Sequence, residues 1–259
     1  MLRKRIENKV GIECEVLIRN KKDELIIPST YDYGHDDFVI LGEIRAEPGK
    51  NIPDTLFNFM KSYYMYEDNL KKDKLHLDID KGYDIITPEL YSKVLKTMGS
   101  KEISPVKNVY GTDILKLTDE IVDNGKIIGH YISTGLHIHF SSDVIVTEEH
   151  AETNYIKLPN DTYVKGESKL VLADTIIYSL LNVQTIKQII RNFDKNILSK
   201  FNIEGIPLKY RMPGFYEVKN YGFEYRSLPF NKLVLDNLKD IIAYAFEELD
   251  YLKYKFTRV

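Results

Sequence analysis

The chain has 259 residues, with 36 lysines and arginines against 39 aspartates and glutamates, six histidines and a formal charge of -3. That near balance gives no electrostatic footprint for a nucleic-acid partner, the composition is that of a folded globular protein, and no apolar run reaches the roughly 20 residues that span a bilayer. Met1 to Lys9 is basic but lacks the apolar stretch and cleavage site of a secretory signal, and the lone Cys14 cannot form an internal disulfide, so the chain reads as a cytoplasmic protein.

The length suits one large domain of helices and strands or two small ones. In chain order, Val10 to Arg19 alternates Ile12, Cys14, Val16 and Ile18 with Glu13, Glu15 and Leu17, which predicts a strand with both glutamates on one face. Asn20 to Glu24 reads as a turn, Tyr31 to Asp37 as a loop, and Phe38 to Arg45 as a second strand. Pro53 and the spacing of Leu56, Phe57, Phe59, Met60 and Tyr63 predict an amphipathic helix over Ile52 to Leu70. Leu75 to Asp80 alternates like a strand, Pro88 to Thr97 fits a short helix, and Lys101 to Leu117 reads as irregular. Lys126 to Ile132 and Gly135 to Ser142 are strand patterns, the second with His137 and His139 on one face. Lys157 to Lys165 suggests a hairpin, Lys169 to Leu181 and Gln184 to Phe201 read as helices, Gly222 to Leu228 as a strand, and Leu233 to Lys253 as a closing helix. Strands and helices mix without a regular βαβ beat, which predicts an α+β fold with a mainly antiparallel sheet and helices on one side.

Four strand patterns carry polar pairs at spacing two: Glu13 with Glu15, Glu43 with Arg45 and then Glu47, His137 with His139, and Glu224 with Arg226. Spacing two places both members on one face. Taken singly, each carboxylate or ion pair is matched by an ordinary solvated surface, and a His-x-His pair also occurs in hydrolases and structural strands. In one sheet, however, the four would pave a face that cannot be a hydrophobic core and whose charges need cations or one another. Hard carboxylate oxygens with a few imidazoles favour Mg²⁺ or Mn²⁺, and the arginines, Arg211 upstream of the last strand among them, could balance a triphosphate. Phosphate-loop and protein-kinase signatures are absent. Cys14 falls on the face opposite the glutamates and reads as a core residue.

Gly11-Ile-Glu-Cys-Glu15, Gly42-Glu-Ile-Arg45, Gly135-Leu-His-Ile-His-Phe-Ser141 and Gly222-Phe-Glu-Tyr-Arg-Ser-Leu-Pro229 stand in the order seen in phage-type COOH-NH2 ligases. These amidoligases are related to glutamine synthetase and glutamate-cysteine ligase, and the chain resembles their type 2 group from about residue 10 to residue 230. The resemblance implies a single domain over residues 1–259, with a curved, mainly antiparallel sheet whose concave face holds ATP and divalent cations, in a bacteriophage protein of the host cytoplasm. It also implies Glu13, Glu15, Glu43, His137 and Glu224 as metal ligands, and His137, His139 and Arg226 as nucleotide contacts. Arg226, with Arg45 and Arg211, is implied to hold the transferred phosphoryl group, while Glu47, Lys209 and Lys219 follow only from proximity in sequence.

The activity so implied joins a small-molecule or peptide carboxylate to an amine through an acyl phosphate, with charge stabilisation by cations and arginines. A metal-dependent hydrolase using the same donors, or a non-catalytic phage protein of the same fold, are the competing readings.

Overall fold

The computed structural model describes residues 3–31, 33–99, 106–111, 118–147, 155–157, 163–165, 168–172, 175–201 and 211–257. The long alternation at the start becomes β1 (Arg3–Arg19), followed by β2 (Gly42–Arg45), helix α1 (Ile52–Lys72), β3 (His76–Asp78), β4 (Tyr83–Ile86), α2 (Pro88–Met98) and β5 (Lys107–Asn108). Next come β6 (Asp119–Asp123), β7 (Lys126–Ser133), β8 (Gly135–Thr147), β9 (Tyr155–Lys157), β10 (Tyr163–Lys165), β11 (Ser168–Leu172) and β12 (Thr175–Ser179). The rest comprises α3 (Val183–Phe193), a π-helical turn (Asp194–Leu198) leading into α4 (Ser199–Phe201), β13 (Phe215–Lys219), β14 (Gly222–Leu228), α5 (Lys232–Asp236) and α6 (Leu238–Thr257).

The protein is α+β, and the ladders between described strands are antiparallel. Among the described residues, the main sheet has nine strands built around β1 and β8. β1 pairs along β8 from Arg3↔Thr147 to Glu15↔Gly135, β2 and β3 follow on the outer edge of β1, and β12 and β14 share the far edge of β8. Alternation sends Val10, Ile12, Cys14, Leu136, Ile138, Phe140, Phe223 and Tyr225 to one face, where they are fully buried. α1, α3 and α6 cover that face with Phe59, Ile186, Ile190, Phe193, Ile241 and Leu249. Phe140 stacks on Phe223 at 4.6 Å between ring centroids, and Phe193 meets Phe140 edge-on at 5.4 Å. The opposite face is the polar one.

Local chemistry explains the elements that frame this sheet. Asn51 caps α1 by accepting from the Asp54 amide, and a proline in the first turn costs the helix no hydrogen bond. A smaller sheet, β4-β7-β6, and α2 enclose a second core of Leu17, Ile27, Phe38, Ile40, Ile86, Val94 and Ile132. No helix of the described residues is long and apolar enough to cross a membrane.

Three expectations need correction. Phe38 to Leu41 is a turn, and only Gly42–Arg45 is strand: all four apolar residues are buried together, and a continuously apolar run does not specify a strand. Lys169 to Leu181 is not a helix, since β11 and β12 occupy it; Val171, Thr175, Ile176, Ile177 and Tyr178 supply the β-branched and aromatic side chains that favour strands. The closing helix breaks at Asn237 into α5 and α6. Sequence reading also passed over the β6–β7 hairpin, although Asn124 and Gly125, at φ 47° and 73°, are the residue pair that a tight hairpin turn demands. The predicted hairpin near Lys157 is present as β9 and β10, but its Pro159-Asn160-Asp161 tip lies outside the described residues, as does much of Lys101 to Leu117.

Gly222 sets the approach of β14 to β8. A Cβ there would stand 2.0 Å from the Phe140 carbonyl oxygen, inside the backbone of the neighbouring strand. Gly222→Ala is therefore expected to destabilise the fold by about 3 kcal/mol, the upper end for overpacking. Urea unfolding measures this, and a variant as stable as the wild type would show that β14 can shift without loss.

Candidate metal centre and its cavities

The polar face brings the four sequence pairs onto adjacent strands in the order β2, β1, β8, β14. Register sets Glu43 opposite Glu15, Arg45 opposite Glu13, Glu13 opposite His137, and Glu224 opposite His139. β14 carries an irregularity between Tyr225 and Leu228, so Arg226 and Ser227 together face the His137 rung. Such a bulge re-aims a side chain without ending the ladder.

The deepest layer is an ion-pair cluster. Glu15 is 1% exposed and Arg211 4%, and their side chains meet directly. His137 Nε2 lies 3.5 Å and Arg226 Nη2 3.7 Å from Glu15 Oε1, while Arg211 Nη1 donates to the Arg226 carbonyl at 2.9 Å. Burial opposes ionisation of Glu15, but Arg211, His137 and Arg226 outweigh it and hold the carboxyl below its usual range. Gly135 makes the room, since a Cβ at that position would stand 2.2 Å from Arg211 Nη2. Glu15 and Arg211, expected as a metal ligand and a phosphate clamp, are here each other's counter-ions, and neither lines the cavities of the polar face.

Above this layer, Glu13, His137 and Glu224 offer three ligand atoms within 4.8 Å of one another. His137 Nδ1 stands 2.8 Å from Glu224 Oε1 and 3.4 Å from Glu13 Oε1. Burial disfavours a charged imidazole, yet Glu15, Glu224 and Glu13 hold His137 up at about 9. Burial likewise opposes the charge on Glu224, but His137 and Arg226 keep its carboxyl well below the usual range. Two carboxylates and one imidazole on adjacent strands are a donor set that could hold a metal ion.

Charged neighbours ring this group. Arg45 spans Glu13 at 3.1 Å and Glu43 at 2.7 Å, and burial together with the Glu13 carboxylate raises Glu43 to about 8. Glu43 thus stands beside the three-residue group, paired to Arg45. His139 is hydrogen-bonded to the Tyr221 hydroxyl, and its Nε2 lies 3.7 Å from Glu13. Glu217 on β13, directly opposite Glu224, meets Arg226 at 2.8 Å and Lys219 at 2.7 Å.

Among the described residues, two cavities open on the cluster. One, of about 300 Å³, is walled by Asp36, Asp37, Glu43, Glu217, Lys219 and Arg226; the other, of about 450 Å³, by Lys9, Gly11, Ala46, Pro48, Ser141 and Asp143. Glu13, Arg45, His139 and Tyr221 line both and form the junction. Asp36, Asp37, Glu217 and Tyr221 were not found from sequence. Glu217 and Lys219 did have a signal, the alternation of Phe215 to Lys219, whereas Asp36, Asp37 and Tyr221 lie in connections without period. Glu47 is exposed beyond β2, where its carbonyl accepts from Asn58, and lines neither cavity. Lys209 lies outside the described residues.

Fold and face together define an α+β protein with a candidate divalent-cation site on the open polar side of an antiparallel sheet. Compared with protein-family models, with curated proteins and with solved structures, the chain finds no match in any of the three.

Proposed function

We propose that the protein is an ATP-dependent carboxylate–amine ligase on a curved sheet of the glutamine synthetase and glutamate-cysteine ligase type, acting in the cytoplasm with Mg²⁺ or Mn²⁺. The observation that carries this reading is the Glu13–His137–Glu224 group, whose Glu13 stands at the junction of two cavities and whose Glu224 lines the first of them, with Arg45, Arg226 and Lys219 beside it. A hydrolase needs the metal donors and a water. It has less use for three side-chain cations at the same point, whereas a polyphosphate passing through the junction does.

The two cavities suit two substrates. The second is floored by Gly11, Ala46 and Pro48 and suits a nucleoside, whose phosphates would reach Arg45 and His139 at the junction. The first, with carboxylates and cations on its walls, suits a charged carboxylate or amine partner, a small molecule or the end of a peptide. When bound, a divalent cation supplies charge neutralisation for phosphate oxygens. Arg226, held by Glu217, and Arg45, held by Glu13 and Glu43, present guanidinium groups toward the same charge without reorganisation. Binding both partners on one rigid sheet removes much of the entropic cost of their encounter.

The test is release of ADP and phosphate by the purified protein with Mg²⁺ against pools of carboxylates and amines. Wild type should release both products only when a carboxylate and an amine are present together, and Glu13→Gln and Glu224→Gln should lower the rate at least about a hundredfold, as loss of one preorganised electrostatic group does. Divalent metal binding without nucleotide binding would turn the reading to a hydrolase, and neither would leave a non-catalytic protein.

A further inference from the structure

Glu217 and Glu224 face each other directly across the β13–β14 ladder. Like charges at such positions repel, and two cations bridge them here. Lys219 Nζ lies 2.7 Å from Glu217 and 3.1 Å from Glu224; Arg226 lies 2.8 Å from Glu217 through Nη1 and 3.5 Å from Glu224 through Nε. The shorter leg of each bridge ends on Glu217. Lys219 and Arg226 are 29% and 13% exposed, so water screens these contacts only in part.

We propose that Glu217 is a positioning residue for the cation site: by carrying the Lys219 ammonium and the Arg226 guanidinium, it keeps the Glu224 carboxylate available as a ligand. Without the Glu217 charge, both cations turn to Glu224, the carboxylate they already touch, and compete there with a divalent ion. The inference rests on reading Glu13, His137 and Glu224 as a cation site, but it concerns a residue outside that group.

Mn²⁺ binding to the full chain, read from the electron paramagnetic resonance of free Mn²⁺ and by calorimetry, tests it without any assay of activity. Glu217→Gln should bind Mn²⁺ about tenfold more weakly, the lower end for loss of a residue that supports a metal ligand. Adding Lys219→Met should restore part of the lost affinity, because the nearer of the two competitors is gone. Adding Lys9→Met instead makes the same change in net charge on the same sheet face, away from Glu224, and should leave binding weak. Equal rescue by Lys9→Met would mean that only the overall field matters and would overturn the inference, as would a Glu217→Gln variant that binds like wild type. A wild type that binds no Mn²⁺ overturns the cation-site reading itself, and the inference with it. Should circular dichroism show Glu217→Gln misfolded, Lys219→Met alone decides: tighter binding than wild type supports the competition, and unchanged or weaker binding overturns it.

Discussion

Arg211→Met should cost the fold about 3–5 kcal/mol, the usual result of removing one partner from a buried ion pair. Arg211 and Glu15 are both almost wholly inside, so the remaining carboxylate could not recover its hydration. The loss should therefore be largely repaired in the Glu15→Gln, Arg211→Met double variant, which removes the charge along with its partner. The pH dependence gives a second readout. In the wild type the Glu15 carboxyl sits below its ordinary value, so its contribution is full above roughly pH 4.3, the unfolded value, and is lost as pH falls. With Arg211 gone, only His137 and Arg226 oppose burial, so the carboxyl should rise and the stability that it loses on acidification should shrink. Urea unfolding of the three proteins between pH 4 and 8 measures both effects. A single variant within about 1 kcal/mol of wild type, the worth of a surface pair, would mean that water reaches Glu15.

The second large effect concerns Glu224. Wild type should be stabilised by Mn²⁺ by about 2.7 kcal/mol at a concentration one hundred times its dissociation constant, because the ion binds only the folded protein. Glu224→Gln should abolish that gain, since one of the three clustered ligands is lost. Without metal the same variant should be less stable than wild type at neutral pH, because it gives up the pairing of the buried Glu224 carboxylate with His137 and Lys219. Thermal unfolding with and without Mn²⁺ checks both halves. A variant that keeps the Mn²⁺ gain would exclude Glu224 from the site.

Several features of this architecture were readable in the chain itself. Period-two alternation in Val10 to Arg19, Gly135 to Ser142 and Gly222 to Leu228 is strong because one face of each strand is fully buried, so a slip of one residue would drive charges into the core. The helix predicted over Ile52 to Leu70 was equally plain from its early proline and its 3.6-residue period, and it runs Ile52–Lys72. Alternation failed where burial is continuous, as in Phe38 to Leu41, and where short strands border turns, as in β4 and β6.

The face assignments of Glu13, Glu15, Glu43, Arg45, His137, His139, Glu224 and Arg226 were thus determined by the sequence alone, because pleat geometry leaves residues at spacing two no other choice. Only the tertiary structure decided which of them share a rung and which are consumed by one another. Arg211 is distant from Glu15 in sequence, yet it closes on Glu15 and removes it from the open surface. Glu217 enters from a strand whose register was not predictable and takes the cations that would otherwise cover Glu224. The division has one physical cause: alternation is a local property of the backbone, whereas the partner of each charge depends on which strands pair and in what register.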